Sequence, residues 1–349
     1  MYAQERARAG AAGLGLEPRY HAPEACVLPL DDPAMLLIIH KNAGLSTRFC
    51  YHFFVRKLRI ITWNLGIGAF GAEADISYEG GRNFIPSSRD AISKNVAGIQ
   101  RFLASSRADV YLLQELTSGS FLNKWYNIRK TVHAVLNRYH SASISNFSLP
   151  LFFDFLRNEH GMGTYVTKAF RARKRFAKQF KAGEYFYRII PRWDYALTTF
   201  VKRGKGKPIA LINTHLSSFD KHGLVRISQF QELMGYVKRL NRRGHPVVVG
   251  ADWNMHNGDV NYCSEDKEYY KYYVRDFPHH LIPQGWSANF PENAPTLRAG
   301  NRPYEKNSST TAFVDGFVCS PEVRTEYVKT IDLNFEHSDH NPVEIVVYY

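Results

Sequence analysis

An α+β sandwich is the fold class this sequence predicts, and three observations predict it. Short apolar runs of strand length recur along the chain. Between them lie longer stretches whose apolar residues fall at helical spacing. A hairpin signal interrupts the alternation of strand and helix. That disfavours a doubly wound parallel sheet and favours packed sheets with helices outside.

The elements follow in order. Residues 1–57 read as an N-terminal extension. Ala, Gly and Arg dominate the first fifteen positions, and Pro18, Pro23, Pro29 and Pro33 block regular structure, so weak order is expected over 1–34. The domain proper is expected over 58–349. Residues 58–64, Leu-Arg-Ile-Ile-Thr-Trp-Asn, are apolar and β-branched and end on a polar residue, as a buried strand reaching a sheet edge does. Gly66, Gly68 and Gly71 require a loop next. Ile92, Val96, Ile99 and Leu103 mark a helix over 88–104, and 109–115 is a second buried strand with polar residues at its exit. A helix is expected over 121–139 and strands over 164–167, 195–202 and 208–215, the last two joined by the turn at 203–207. Leu224, Ile227, Leu233, Met234, Val237 and Leu240 make 223–243 the clearest helix, stopped by Gly244 and Pro246. Strands over 246–252, 313–319 and 342–347 complete the core.

Composition sets the outer limits. The chain has 349 residues, 44% apolar and 22% charged, an ordinary globular balance that excludes wholesale disorder, a collagen or a disulfide mini-scaffold. The formal net charge of +13 points to an anionic partner. Cys26, Cys50, Cys263 and Cys319 form no C-x-x-C pair, so they read as free thiols and argue against a zinc ribbon. No stretch approaches the ~18–20 continuous apolar residues of a membrane span. The run 35–39 stops at His40 and Lys41 and is too short for a secretion signal, so a cytoplasmic protein is expected unless the true start lies nearer Met35.

Polar residues at strand ends carry the chemistry: Asn64, Glu115, His215, Asp252 with Asn254, and Asp339 with His340, while Asp315 sits inside a sixth apolar segment. Singly, each reads as a cap, a turn or a structural histidine. As a set, Thr62-Trp-Asn64, Leu113-Gln-Glu115, Asn213-Thr-His-Leu216, Val249-Gly-Ala-Asp-Trp-Asn254, Val314-Asp315 and Ser338-Asp-His-Asn-Pro342 resemble the endonuclease/exonuclease/phosphatase superfamily, the DNase I-like proteins, in an uncharacterised bacterial-type branch. The likeness extends to 66–70, 161–163 and 218–223, with Arg226 and Gln229 on the next helix. One block departs slightly: Gly250-Ala-Asp-Trp-Asn254 carries one extra small residue. Histidine at 215, where abasic-site enzymes carry tyrosine, places the chain nearer the DNase I-like and sphingomyelinase-like branches.

The resemblance implies a four-layered α/β/β/α sandwich and Mg²⁺-dependent hydrolysis of a phosphodiester, with Mn²⁺ as a substitute. A hard cation takes oxygen ligands, and Glu115, Asn64 and Asp339 would hold it. Asp252 would touch that ion or a second one. Asp315 would orient His340, the favoured general base, with Asp252 as its rival. His215 would donate to the phosphate or protonate the leaving oxygen, and Asn254 would hold the attacking water or a phosphate oxygen.

Nucleic acid is the favoured substrate. Phospholipid, as for a sphingomyelinase, and a phosphoinositide or sugar phosphate are the alternatives, with an inactive phosphate-binding scaffold more distant. The basic run 171–178 reads either as solvated surface or as a strip of phosphate contacts, so Arg171, Arg173 and Arg226 are candidate substrate residues. The aromatic-basic stretch 269–277 and the apolar run 149–156 read as packing, base stacking or a lipid-facing surface. No protein partner is implied.

Overall fold

Every apolar run expected to be a strand of the domain is one in the computed structural model, which describes residues 26–28, 36–39, 52–53, 56–148, 159–186, 190–204, 206–218, 220, 222–263 and 275–349. The chain divides into two compact units, 1–55 and 56–349. In the first, Cys26–Leu28, Leu36–Ile39 and His52–Phe53 form a three-stranded antiparallel sheet. The rest of 1–34, all of 149–156 and most of 269–277 lie outside the described residues.

The second unit opens with β1 (Lys57–Asn64), α1 (Arg89–Ser105), β2 (Val110–Gln114) and α2 (Ile128–Val135). Five strands follow: β3 (Tyr139–Ser148), β4 (Glu159–Thr167), β5 (Arg171–Gln179), β6 (Tyr195–Lys202) and β7 (Ile209–His215). After α3 (Leu224–Arg242) come β8 (Val247–Asp252), β9 (Ser287–Asn289), β10 (Asp315–Cys319), β11 (Arg324–Thr330) and β12 (Val343–Tyr348). They build two six-stranded sheets, ordered β11-β12-β1-β2-β4-β3 and β9-β10-β8-β7-β6-β5. Within them β1/β2 and β7/β8 are parallel and the other neighbours antiparallel.

Alternation within each central strand explains the layers. Leu58 and Ile60, with Val110 and Leu112 of β2, face the second sheet, where they meet Leu211, Val248 and Phe317. Ile61 and Trp63 point the other way and pack under α1 and α2 with Ile92, Val96, Ile99 and Val132. On the far side, Ala210, Ile212, Val247 and Val249 lie under Phe230, Leu233, Val237 and Leu240 of α3. The result is helix, sheet, sheet, helix. Because both faces of the central strands are covered, their sequences read as continuous apolar runs rather than alternating ones.

Three departures from expectation have local causes. The helix expected over 121–139 is a 3₁₀ turn (Phe121–Asn123) followed by the short α2. Lys124 and Trp125 adopt left-handed φ values of 52° and 62°, and the Asn127 side chain caps α2 afresh. Tyr139 starts a strand instead of ending a helix. The basic run 171–178 is the edge strand β5, paired along one side with β6. Edge strands tolerate such charge because one side of the ladder meets water.

Candidate active site

Strand ends converge at one rim of the sandwich. β1 and β2 are parallel, so Asn64 and Glu115 leave the first sheet together. β7 and β8 are parallel and bring His215 opposite Asp252, while Asp315 pairs with Asp252 across the β8/β10 ladder. One cleft is lined by Asn64, Glu115, His215, Asp252, Asn254, Asp339 and His340. Asp315 is buried behind His340.

Asp252 is the hub. Its Oδ2 accepts from Asn64 Nδ2 at 3.0 Å and lies 3.3 Å from His215 Nε2 and 3.6 Å from His340 Nε2. Its Oδ1 accepts from the Asn254 backbone N–H at 3.0 Å. Asp315 Oδ2 accepts from His340 Nδ1 at 2.8 Å. Trp63 Nε1 donates to the His340 carbonyl at 2.8 Å, which gives the buried tryptophan of the first block a task at the site.

Charge is shared unevenly among these groups. Burial by itself would lower His340, but Asp315 and Asp252 outweigh it and hold the imidazole well above the usual histidine range. Burial pushes His215 down to about 4, so it is neutral at pH 7. Burial would raise Asp252, yet His215 and His340 keep it below the usual carboxylate range. The imidazolium of His340 therefore lies between two carboxylates, and its Nε2 carries a proton toward Asp252.

A second acidic pair is not compensated in this way. Burial, and then the charge of Asp339, raises Glu115 to about 7, and its buried Oε2 has no hydrogen-bond partner. Burial likewise raises Asp339. Glu115 is a non-glycine residue at φ 52°, a strained conformation that turns the chain as it leaves β2. Asp339 Oδ1 lies 2.7 Å from where a Cβ on Gly66 would stand, so only glycine fits beside it, and Gly66 is itself left-handed at φ +52°.

Next to the site an amide pair fastens the two sheets. Gln114 Nε2 donates to Asn213 Oδ1 at 2.8 Å and to Thr62 Oγ1 at 3.0 Å. Asn213 Nδ2 in turn donates to the carbonyls of Leu113 and Gly163 at 3.1 and 3.0 Å. The "Asn" of Asn213-Thr-His and the "Gln" of Leu-Gln-Glu115 are thus buried positioning groups.

Comparison with known proteins decides the family. The model of the "Endonuclease/Exonuclease/phosphatase family" matches residues 61–340. The chain belongs to that family. It is a hydrolase that acts on phosphate esters. No curated protein matches it significantly. Solved structures of the same fold include an endonuclease/exonuclease/phosphatase family protein from Bacteroides thetaiotaomicron, with 13% identity, TM-score 0.54, and 85% of this chain and 99% of that one covered. A truncated TDP2 from Caenorhabditis elegans has 14% identity and TM-score 0.54 over 84% and 98%. ANGEL2, a 2',3'-cyclic phosphatase in complex with adenosine-2',3'-vanadate, has 14% identity and TM-score 0.53 over 87% and 99%.

Two groups of this family member could hold a cation. The ligand atoms of Asp252, Asp315 and His340 lie within 4.8 Å of one another. That group already contains its own positive charge, the His340 imidazolium, although Asp315 Oδ1 is also buried without a hydrogen-bond partner. Glu115 and Asp339 hold no cation of their own: Asp339 Oδ1 accepts from Ser338 Oγ at 3.2 Å, and burial outweighs the charges of His340, Arg192 and Arg298 nearby. The orphaned Glu115 oxygen, the mutual repulsion and the oxygen-only donor set fit a hard divalent cation there.

The expected substrate arginines divide. Arg171 pairs with Lys202 and Arg173 with Phe200, beside the start of β7 and roughly 20 Å along the sheet from His215. Arg171 is not among the residues that line the cleft. The register of this edge strand thus sets their backbone far from the strand ends that meet at the rim. Arg226 does line the cleft, but its guanidinium donates to the carbonyls of Asn254 and Asp220. It braces the turn that carries Asn254.

Several lining residues escaped the sequence reading, Arg192 and Glu79 among them. Arg192 donates through Nε to Asp194 Oδ1 at 3.2 Å and through Nη1 to Ser218 Oγ at 3.3 Å. Gln229 Nε2 donates to the other oxygen of Asp194 at 3.0 Å, so a buried carboxylate orients this arginine beside Glu115 and His215. Glu79 accepts from the Gly300 N–H at 2.6 Å, and burial, then Asp339, raises it to about 7. Neither lies in a motif, and the only sequence cue was Arg-Trp-Asp at 192–194 just before a strand.

Proposed function

We propose that this chain hydrolyses phosphodiesters of nucleic acid by in-line attack of water, with Mg²⁺ held by Glu115, Asp339 and Asn64. The observation that carries the reading is the division of the rim into two halves. One holds a proton between carboxylates, and the other is a carboxylate pair whose burial outweighs the cations near it. In-line displacement puts the attacking and leaving oxygens on opposite sides of phosphorus. The two halves suit those two sides.

On the attacking side, Asp252 takes the proton of water as its oxygen bonds to phosphorus. This assigns the base to Asp252 rather than His340, because His340 already carries its proton. Asp315 keeps the imidazole oriented, and His340 Nε2–H and His215 donate to non-bridging phosphate oxygens. Asn254 uses one amide N–H on the Leu216 carbonyl at 2.8 Å, which fixes its side chain at the place where the water must be held. Arg192 supplies a further positive charge for the phosphate. A divalent cation at Glu115 and Asp339 would stabilise charge developing on the leaving oxygen. The leaving oxygen takes its proton from solvent as the P–O bond breaks.

The test is purified protein with and without Mg²⁺ against plasmid DNA, RNA, sphingomyelin and phosphoinositides, with EDTA as control. Mg²⁺-dependent cleavage of nucleic acid with intact lipids is expected. Cleavage of a lipid while plasmid and RNA stay intact would overturn the substrate assignment.

A further inference from the structure

Beside the cleft the 77–85 loop and the 120–126 turn expose a band of rings. Tyr78 and Leu122 line the cleft with Phe70, and Tyr78 packs edge-on against Phe70 at 6.3 Å. Adjoining them, Phe84 stacks on Phe121 at 5.8 Å with the rings 17° from parallel. Burial does not explain this band. Phe84 is 59% exposed, Trp125 52%, Ile85 43% and Tyr78 38%, and these make up four of the eight large hydrophobic residues exposed among those described. Single exposed apolar residues are ordinary, but four on two adjoining segments, with Tyr78 lining the cleft itself, are not.

The backbone beneath the band is fixed in place. Ser120 and Asn123 form a reciprocal capping box, and Asn123 Nδ2 donates to the Ile67 and Tyr126 carbonyls, both at 2.9 Å. That network holds Lys124 and Trp125 in two consecutive left-handed conformations, which non-glycine residues adopt only at a cost of about 1–2 kcal/mol each. Cations are interleaved with the rings. Arg82 is exposed two residues before Phe84, Lys124 precedes Trp125, and the Arg89 guanidinium lies 6.0 Å from the Tyr126 ring centroid.

Aromatic faces alternating with cations suit a strand whose bases are unpaired, because rings stack on bases while cations meet phosphates. A duplex would hide its base faces, and a neutral lipid surface would leave the cations without counter-charge. We infer that this rim is a platform for single-stranded nucleic acid: bases flanking the scissile phosphate stack on Phe84 and Trp125, and Arg82 and Lys124 meet the backbone. The inference rests on the phosphodiesterase reading above and names the form of its substrate.

Binding is measured without turnover, in EDTA, by fluorescence anisotropy of a labelled single-stranded oligonucleotide, the matching duplex and phosphatidylserine-containing vesicles. The wild-type protein is expected to prefer the single strand. Phe84→Ala and Trp125→Ala should each weaken that binding roughly tenfold or more. With Mg²⁺, their loss of kcat/KM on the oligonucleotide should exceed their loss on bis(p-nitrophenyl) phosphate, which has no bases, by a similar factor. Single-strand binding within twofold of wild type in both variants would overturn the platform, and so would loss of vesicle binding alone. Failure of the wild type to cleave either phosphodiester, with the binding losses intact, would sink the catalytic reading and leave the platform standing.

Discussion

The space between the two sheets is filled in two ways by the same strands. Along most of their length Leu58, Ile60, Leu112, Leu211, Val248 and Phe317 are fully buried and apolar. At the ends where β1/β2 and β7/β8 exit, the filling becomes Asn64, Gln114, Asn213, His215, Asp252 and Asp315, equally buried but polar. The apolar part gains from every Å² removed from water. The polar part gains only where donors and acceptors match, as in the Gln114–Asn213 bridge, and loses where charge is left over, as at Glu115. Stability and chemistry are thus separated along the length of single strands.

The sharpest way to break the comparison is at the hub. Asp252→Asn should lower kcat by about 10³-fold, within the range expected of a lost general base, and should lower the thermal midpoint modestly at pH 7, because His215 and His340 hold its carboxylate below the usual range and the ionised form therefore contributes stability. A kcat within tenfold of wild type in the folded variant would remove Asp252 as the base. The apolar region should give the opposite signature. Leu112→Ala should cost about 2–5 kcal/mol in denaturant unfolding, with kcat per folded molecule within a few-fold of wild type. A large loss of kcat with stability unchanged would mean that the two regions are not separable.

The smallest effect concerns pH and the cation. Burial and Asp339 raise Glu115 to about 7 from its ordinary 4.5, so the folded protein binds this proton more tightly than the unfolded chain. Its contribution therefore falls as pH rises from about 4.5 to about 7, and the penalty is complete above that. A divalent cation offsets the penalty only where Glu115 is ionised. The rise in melting temperature on adding Mg²⁺ should accordingly be small at pH 5, several degrees at pH 8, and lost at both in Glu115→Gln. Equal shifts at the two pH values would remove Glu115 from the cation site.

Legibility in the sequence followed burial. Central strands with both faces covered stand out as apolar runs, and β1, β2, β6, β7, β8, β10 and β12 are all readable for that reason. The edge strands β3, β5 and β11 are not, because one side meets water and their residues are mixed or basic. Site residues behaved in the same way. Asn64, Glu115, His215, Asp252, Asn254, Asp315, Asp339 and His340 interrupt apolar runs at their ends, so each is visible against its neighbours. Arg192 ends a three-residue strand and Glu79 a 3₁₀ turn, short elements outside the apolar runs where a charge is unremarkable, and a run of charge such as 171–178 carries no information about which end of a sheet it occupies.

By itself the sequence determined the layering, the family and the set of polar strand ends, since these depend on local periodicity and on residue types at fixed spacing. Tertiary structure alone decided how the charges are shared. Whether His340 or Asp252 starts with the proton depends on two carboxylates brought to one imidazole from β8 and β10, and whether Glu115 needs a cation depends on Asp339, more than two hundred residues away. Those energies arise from distance and burial, and no linear spacing encodes either.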